Sequence, residues 1–368
     1  MYKKGIWLKI TYDNIIFSLQ KAGGISIYWA ELIKRLVQKE KEAIFFESEN
    51  QNIFRKELDI ETKKENNINL QLLRYLPFTK KLPKKSIFHS SYYRVSLQKN
   101  IVNITTVHDF TYEYFRSGLA KCIHVWQKGF AIKKSDGIIC VSENTKKDLL
   151  KFYPMINESK IKVIYNGVGD EFVKLENPNE YLADRFEVLK NKKYILYIGD
   201  RSKYKNFKIA IEVLKKLNDY IFVVIGGQEF SNIELENMKD IKESVFHFRG
   251  ISGDKLNVLY NNAFCLLYPS SYEGFGIPIA EAMKAGCPVV STNASSIPEV
   301  AGDAGLLVNE IKVENFVNEI KKLENDDFKN ALINKGIEQV KKFSWDKCFN
   351  ETYSFYREVL DRKFGKNK

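Results

Sequence analysis

One pattern constrains this chain more than any other: short apolar runs alternate with amphipathic stretches long enough for helices. That spacing is the signature of repeated βα units and predicts parallel sheets covered by helices. In the first half, strands are expected at 6–10, 43–46, 86–89, 103–107, 137–141 and 161–165. Helices are expected at 25–38 and 143–152, the latter with Ser142 as its N-cap. In the second half the strands read at 194–198, 221–225, 245–248, 264–267 and 288–290, with helices at 206–217, 253–262 and 277–285. The chain closes on a helix at 345–360 that carries Phe349, Tyr353, Phe355 and Tyr356. At 368 residues the chain is too long for one core and about right for two. The polar segment from Gly167 to about Lys193 is expected to link them. Two such α/β domains bind ligands at the carboxyl ends of their strands.

Composition narrows the class. With 44% apolar and 28% charged residues the chain is globular, neither disordered nor collagen-like. No window reaches the roughly 18 consecutive apolar residues of a membrane span, and the N-terminal stretch lacks the apolar core and cleavage site of a secretory signal. Five scattered cysteines, Cys122, Cys140, Cys265, Cys287 and Cys348, form no CxxC or Cys/His cluster. They read as reduced thiols of a cytoplasmic protein rather than a disulfide framework or a zinc site. Charge is unevenly spread: residues 1–168 carry +13 and residues 169–368 carry −1. A genome-wide excess of lysine would raise both halves alike, so the basic half points to an extended anionic partner.

Chemistry concentrates in Tyr268-Pro-Ser-Ser-Tyr-Glu-Gly-Phe-Gly-Ile-Pro-Ile-Ala-Glu281. A strand runs into a loop with Gly274 and Gly276. A helix then starts near Ile277, with Pro278 in its first turn. Strand, glycine loop and helix N-terminus together make a backbone anion site. Glu273 stands before the helix and Glu281 in its second turn, so the two carboxylates take separate roles. After the strand YILYI come Arg201, Lys203 and Lys205, cations placed for phosphate oxygens. In the first half, Gly23 and Gly24 precede a helix, and His108-Asp109 follows the strand NITTV. His89 ends a strand in the same way and ranks below His108, which has the adjoining carboxylate.

These blocks resemble glycosyltransferase family 4, the retaining nucleotide-sugar enzymes of the GT-B fold. The chief match is E-x7-E, Glu273 to Glu281, followed by AMKAGCPVVSTNASSIPEVAGDAGLLV. FSLQKAGGISIY, TTVHD, IICVSENTKKDLL, VIYNGV, YIGDRSKYKNF and FSWDKC occur in family order, from about residue 10 to 360. The resemblance implies two doubly wound Rossmann-like domains facing a crevice. Residues 1–168 would bind acceptor and 169–345 the nucleotide-sugar, while 346–368 form a helix that crosses back to the first domain. It assigns Arg201 and Lys205 to the donor diphosphate and Glu281 to the ribose hydroxyls. Glu273, with the backbone of Gly274, Phe275, Gly276 and Ile277, would hold the transferred sugar and nearby phosphate. Gly23 and Gly24 would approach the phosphates, His108 the sugar, and Arg249-Gly250-Ile251 the base. A departure is Ile27, where family members often carry a basic residue just before the Tyr of the GGIS-x-Y block.

The implied enzyme needs no cofactor and no metal, only a nucleotide-sugar co-substrate. Its closest motifs resemble bacterial O-antigen and capsule mannosyltransferases, which favours GDP-mannose over UDP- or dTDP-sugars. A glycan acceptor, lipid-linked, follows from the same resemblance. The basic stretch from Leu72 to Lys85 is the expected contact with an anionic membrane, at the cytoplasmic face of the inner membrane. A nucleic-acid partner is not expected, since no recognised motif accompanies the charge. A sugar-nucleotide epimerase of the same fold is the alternative enzyme. A silent, glycan-binding relative would be expected to lose Glu273 or Lys205.

Overall fold

The computed structural model describes residues 8–65 and 69–365. The chain divides into two compact units, residues 1–167 with 344–368, and residues 168–343. Unit 1 contains β1 (Ile10–Asp13), β2 (Ala43–Phe46), β3 (Thr62–Lys63), β4 (Ser86–Ser90), β5 (Ile101–Val107), β6 (Gly137–Cys140) and β7 (Ile161–Val163). They form one parallel sheet in the order β3-β2-β1-β4-β5-β6-β7. Its longer helices are α1 (Gly24–Gln38), α2 (Gly118–Lys134) and α3 (Glu143–Phe152). Unit 2 contains β8 (Tyr194–Ile198), β9 (Ile221–Ile225), β10 (Val245–Phe248), β11 (Cys265–Tyr268), β12 (Val289–Thr292) and β13 (Gly305–Val308). Its sheet is also parallel, in the order β10-β9-β8-β11-β12-β13. The helices that serve it are α4 (Phe207–Lys215), α5 (Gly253–Asn262), α6 (Ile277–Lys284), α7 (Val313–Lys322) and α8 (Asp326–Val340). The last helix, α9 (Trp345–Phe364), belongs to unit 1.

Both sheets therefore reverse their strand order once, between β1 and β4 in unit 1 and between β8 and β11 in unit 2. Such a switch point opens a crevice at the carboxyl ends of the strands. The central strands are buried on both faces, as parallel sheets require. All seven residues of β5 are buried, including three polar ones, and each of these is paired. Asn103 Oδ1 accepts from Ser96 N at 2.8 Å, Thr105 meets Ser135 Oγ at 2.7 Å, and Thr106 meets His89 Nε2 at 3.0 Å.

The N-cap expected at Ser142 is present, its hydroxyl accepting from Thr145 N at 3.0 Å. Helix α9 crosses back as the resemblance implied: Trp345, Phe349, Phe355, Tyr356 and Val359 share one buried cluster with Tyr12, Trp29 and Ile104. Its Tyr356 hydroxyl reaches Tyr12 at 3.0 Å and His89 Nδ1 at 2.6 Å. His89 is thus a core histidine, and burial lowers its pKa to about 3.

Several expectations shift. The first strand lies at Ile10–Asp13 rather than 6–10, whose residues 6 and 7 fall outside the described residues. Apolarity stops at Ile10, but Thr11, Tyr12 and Asp13 are equally buried, so the strand continues through polar residues. The segment 168–193 is no free linker. Phe172, Leu182, Phe186 and Leu189 are buried, and Val173 N donates to Asn257 Oδ1 at 3.0 Å. In the basic stretch 72–85, Phe78 and Leu82 point inward to Phe46, Phe88 and Ile101, leaving Leu72, Leu76 and the lysines outside.

Candidate active site

The richest polar cluster of unit 2 stands at its switch point. Chain leaving β8 turns through Gly199 and a short 3₁₀ turn, Lys203–Lys205, before α4. Chain leaving β11 turns through Tyr268–Gly276 into α6. The two loops are pinned together: Ser271 N donates to Tyr204 O at 2.8 Å, and Asn206 Nδ2 to Pro269 O at 2.8 Å. Between them Lys205 Nζ donates to Glu273 Oε1 at 2.8 Å and to Tyr268 Oη at 3.1 Å. Tyr268 Oη and Ser270 Oγ donate to the same carboxylate oxygen, at 2.8 and 2.6 Å. Burial opposes the charge on Lys205, but the Glu273 carboxylate and nearby phenols outweigh it and hold its pKa well above the ordinary value. Three donors thus converge on Glu273 Oε1.

Helix α6 starts beside this cluster. Gly276 is its N-cap at φ 96°, a left-handed conformation that L-residues reach only with strain, and proline follows in the first turn. The loop after β12 fixes the approach. Ser295 Oγ accepts from Glu273 N at 2.8 Å, and Ser296 Oγ donates to the carbonyls of Glu273 and Phe275 at 2.9 and 3.0 Å. The first turn of α6 is the positive end of the helix dipole, the kind of backbone feature that favours a nearby anion.

Glu281 sits apart from Glu273 with a different partner. It is buried, accepts from Tyr260 Oη at 3.0 Å, and burial raises its pKa to about 7 despite that hydrogen bond. A half-protonated carboxyl at neutral pH is ready to ionise when donors arrive.

Arg201 is anchored more tightly than a surface cation. Its Nε donates to Glu234 Oε1 at 2.6 Å, and Nη2 to the carbonyls of Gln228 and Glu229 at 2.6 and 2.9 Å. Nη1 lies 3.4 Å from Gly226 O and directly over Gly227, where an added Cβ would overlap it. Lys205 and Arg201 thus flank the carboxyl end of β8 on its two sides. Gly250 and Ile251 follow β10, and the space about Gly250 is open.

In unit 1, His108 follows β5, half-buried, its ring edge-on to Tyr28 at 4.9 Å. Burial lowers its pKa to about 4, with Asp109 working against that shift and Lys128 with it, so the imidazole is neutral at pH 7. The buried Lys128 holds the same turn, its Nζ donating to Asp109 O at 2.9 Å and Glu113 Oε2 at 2.8 Å. Gly23 is the N-cap of α1 and Gly24 its first residue. Tyr260, Tyr268, Ser270, Ser295, Ser296 and Glu234 join the site without a signal in the sequence, because nothing in one chain marks which hydroxyl or carboxylate points where. Among the described residues no group of three or more His, Cys, Asp or Glu is arranged to hold a metal ion.

Two family models match this chain: Glycosyltransferase Family 4 over residues 22–172 and Glycosyl transferases group 1 over residues 181–339. The chain belongs to the family 4 glycosyltransferases. Among relatives, O-antigen chain mannosyltransferase B of Escherichia coli is 31% identical over 55% of this chain and 58% of its own length. O-antigen chain mannosyltransferase RfbU of Salmonella typhimurium is 26% identical over 66% of each. The matches therefore span about three fifths to two thirds of those relatives. Among solved structures, HepE of Anabaena in complex with UDP-glucose superposes with a TM-score of 0.72 at 15% identity, covering 96% of this chain and 100% of that one. The fold is that of the GT-B glycosyltransferases, built from two Rossmann-like α/β domains.

Proposed function

We propose that this family 4 glycosyltransferase transfers a hexose, with retention of configuration and without a metal, from a nucleotide-sugar to a lipid-linked glycan at the cytoplasmic membrane face. GDP-mannose is the favoured donor. The Lys205–Glu273–Tyr268 cluster beside the N-terminus of α6 carries this reading, because it places cation, carboxylate and backbone N–H groups at one switch point. The names of the two mannosyltransferase relatives support the sugar; the UDP-glucose bound by HepE keeps a UDP-sugar as the second candidate.

In the reaction proposed, the bond between the sugar's anomeric carbon and the phosphate oxygen breaks first. Lys205, Arg201 and the α6 N-terminus stabilise the negative charge that develops on the leaving diphosphate. The acceptor hydroxyl attacks from the same face, and its proton passes to the departing phosphate oxygen. The products are the glycoside and a nucleoside diphosphate. Glu273 and the backbone of Gly274–Ile277 hold the sugar, Glu281 accepts from the ribose hydroxyls, and Gly250 and Ile251 lie against the base. The roles of His108, Gly23 and Gly24 rest on the family resemblance. With its pKa near 4, His108 would contact the sugar as a neutral hydrogen-bonding group.

A thermal-shift titration with GDP, UDP, dTDP and their sugar conjugates, with and without EDTA, tests the donor. A ligand at a hundred times its Kd adds about 2.7 kcal/mol of stability. Stabilisation by GDP and GDP-mannose, insensitive to EDTA and lost in Lys205→Ala, is the expected result. A response to UDP-sugars alone replaces the donor; no response to any nucleotide overturns the site. NMR of the product's anomeric centre checks retention.

A further inference from the structure

Large apolar side chains exposed singly need no explanation, but in unit 1 they gather on one span. Tyr114, Phe115, Leu119, Ile123 and Trp126 all face outward, Leu119 at 75% and Trp126 at 65% exposure. Leu119, Ile123, Trp126 and the half-buried Phe130 recur at helical spacing along one face of α2. The Trp126 and Phe130 rings stack at 5.9 Å. The opposite face sends His124, Gln127, Lys128, Ala131 and Ile132 into the unit. One face of α2 thus packs inward while a second apolar face stands exposed.

Charge gives an independent observation. Residues 114–135 contain no Asp or Glu, against Arg116, Lys121, Lys128, Lys133 and Lys134. Lys128 is buried on Glu113, but Arg116, Lys133 and Lys134 are exposed and make no ion pair among the described residues. Lys151 joins them at the edge, its Nζ 3.0 Å from Tyr114 Oη. Several exposed lysines elsewhere sit beside a glutamate three residues away, as Lys322 does with Glu319 and Lys341 with Glu338. The asymmetry holds for whole units: unit 1 has 35 Lys and Arg against 20 Asp and Glu, unit 2 has 23 against 26.

We propose that the outer face of α2 is a docking surface for an anionic lipid bilayer. Leu119, Ile123 and Trp126 enter the boundary between headgroups and acyl chains, while Arg116, Lys133, Lys134 and Lys151 lie at the level of the phosphates. Tryptophan and long basic side chains suit that interface, apolar along the body and polar at the tip. A second copy of the chain is the poorer occupant. A two-fold contact would set this acid-free face against itself, with like charges opposed. The surface uses no donor-site residue, so it extends the membrane reading of the proposed function without depending on the donor.

Co-sedimentation with vesicles tests it, using phosphatidylcholine alone and phosphatidylcholine with 30% phosphatidylglycerol. The protein should bind the anionic vesicles at low salt and release as salt rises. Lys133→Gln with Lys134→Gln should lower the partition coefficient about thirty-fold. Leu119→Ser with Ile123→Ser and Trp126→Ser should abolish binding at every salt concentration. Tryptophan emission should shift to the blue with anionic vesicles in the wild type and not in Trp126→Phe. The nucleotide thermal shift should be the same in all variants, so failure of the donor site and failure of this surface read out separately. Absence of binding to anionic vesicles overturns the proposal, as does unchanged binding by the triple Ser variant. A wild-type dimer that the triple variant makes monomeric gives the face to a second copy instead.

Discussion

Replacing Glu281 by Gln should stabilise unit 2 at pH 8 while weakening its hold on a nucleotide-sugar. The carboxyl is buried, and burial moves its pKa from 4.5 to about 7. Between those values the folded protein holds a proton that the unfolded chain has released. Stability therefore falls as pH rises through that window and is level above it. At about 1.4 kcal/mol per pKa unit, the loss is about 3 kcal/mol. The amide keeps the shape and still accepts from Tyr260 Oη but carries no charge to bury. Urea unfolding of both proteins from about pH 4 to about 8.5 should give curves that converge below about pH 4.5 and diverge to about 3 kcal/mol above about pH 7. His89, His108 and His124 work in the opposite direction. Their pKa values are lowered by burial to about 3, 4 and 4, so stability falls as pH drops below the unfolded-state value of 6.5. They are common to both proteins and cancel in the difference. Ligand binding gives the second arm. Ribose hydroxyls donate to a carboxylate more strongly than to an amide, so Glu281→Gln should lose about tenfold in affinity. Wild-type affinity should rise with pH up to about 7, and the variant's should stay flat. A nucleotide-sugar is the right probe, because a terminal phosphate titrates on its own near pH ~6. A Gln variant no more stable than wild type at pH 8 refutes the burial argument; an equal affinity refutes the role.

Lys205→Met leaves the Glu273 carboxylate in its niche without its cation and should cost about 3 kcal/mol by urea unfolding. Lys205→Met with Glu273→Leu should recover most of that loss yet show no nucleotide shift. Gly276→Ala forces a Cβ into φ 96° and should cost about 1 to 2 kcal/mol, with the donor KM raised because the α6 N-terminus moves. Gly227→Ala should push the Arg201 guanidinium off its carbonyls and raise the donor KM, whereas Gly250→Ala, at φ 62° with open space around it, displaces no side chain and should show backbone strain alone. In unit 1, Arg94→Met should destabilise by about 3 to 5 kcal/mol, since it strands the carboxylates of Asp13 and Glu65. Nucleotide binding measured below the lowered Tm should be unchanged.

What the sequence disclosed follows from what a periodic pattern can carry. β8, β9 and β10 stand at their expected positions because their runs are apolar and bounded by polar turns. β3 and β13 were not expected. The first is two exposed residues, and the second, Gly305–Val308, is mostly half-buried and follows a glycine turn. α2 was missed for a related reason. It buries His124, Gln127 and Lys128 and exposes Leu119 and Trp126, so no single apolar stripe marks it. At the site, residue types with distinctive chemistry were visible in E-x7-E and in the cations after β8. The hydroxyls of Tyr268, Ser270, Ser295 and Ser296 were not, because their work depends on direction rather than identity. Glu234, which holds Arg201, lies 33 residues beyond it and gives no local signal.

The two sheets share a strand order and spend their switch points differently, which explains why one unit reads as a ligand site there and the other does not. In unit 1 the carboxyl ends of β1 and β4 meet at Asp13 and Ser90. Arg94, nearly inaccessible, fills the place: Nη1 donates to Asp13 Oδ2 at 2.9 Å, Nη2 to Glu65 Oε2 at 2.7 Å and Nε to Leu76 O at 2.9 Å. Burial still holds the Asp13 pKa above its ordinary value, outweighing the guanidinium beside it. A triad with its charges turned on one another has no capacity left for an anion. In unit 2 the corresponding place holds Lys205 and Glu273 at the rim, partly exposed, next to the positive end of α6. The same topology thus yields a plug where the charges are mutually satisfied and buried, and a partly exposed charged cluster where the proposed donor site lies.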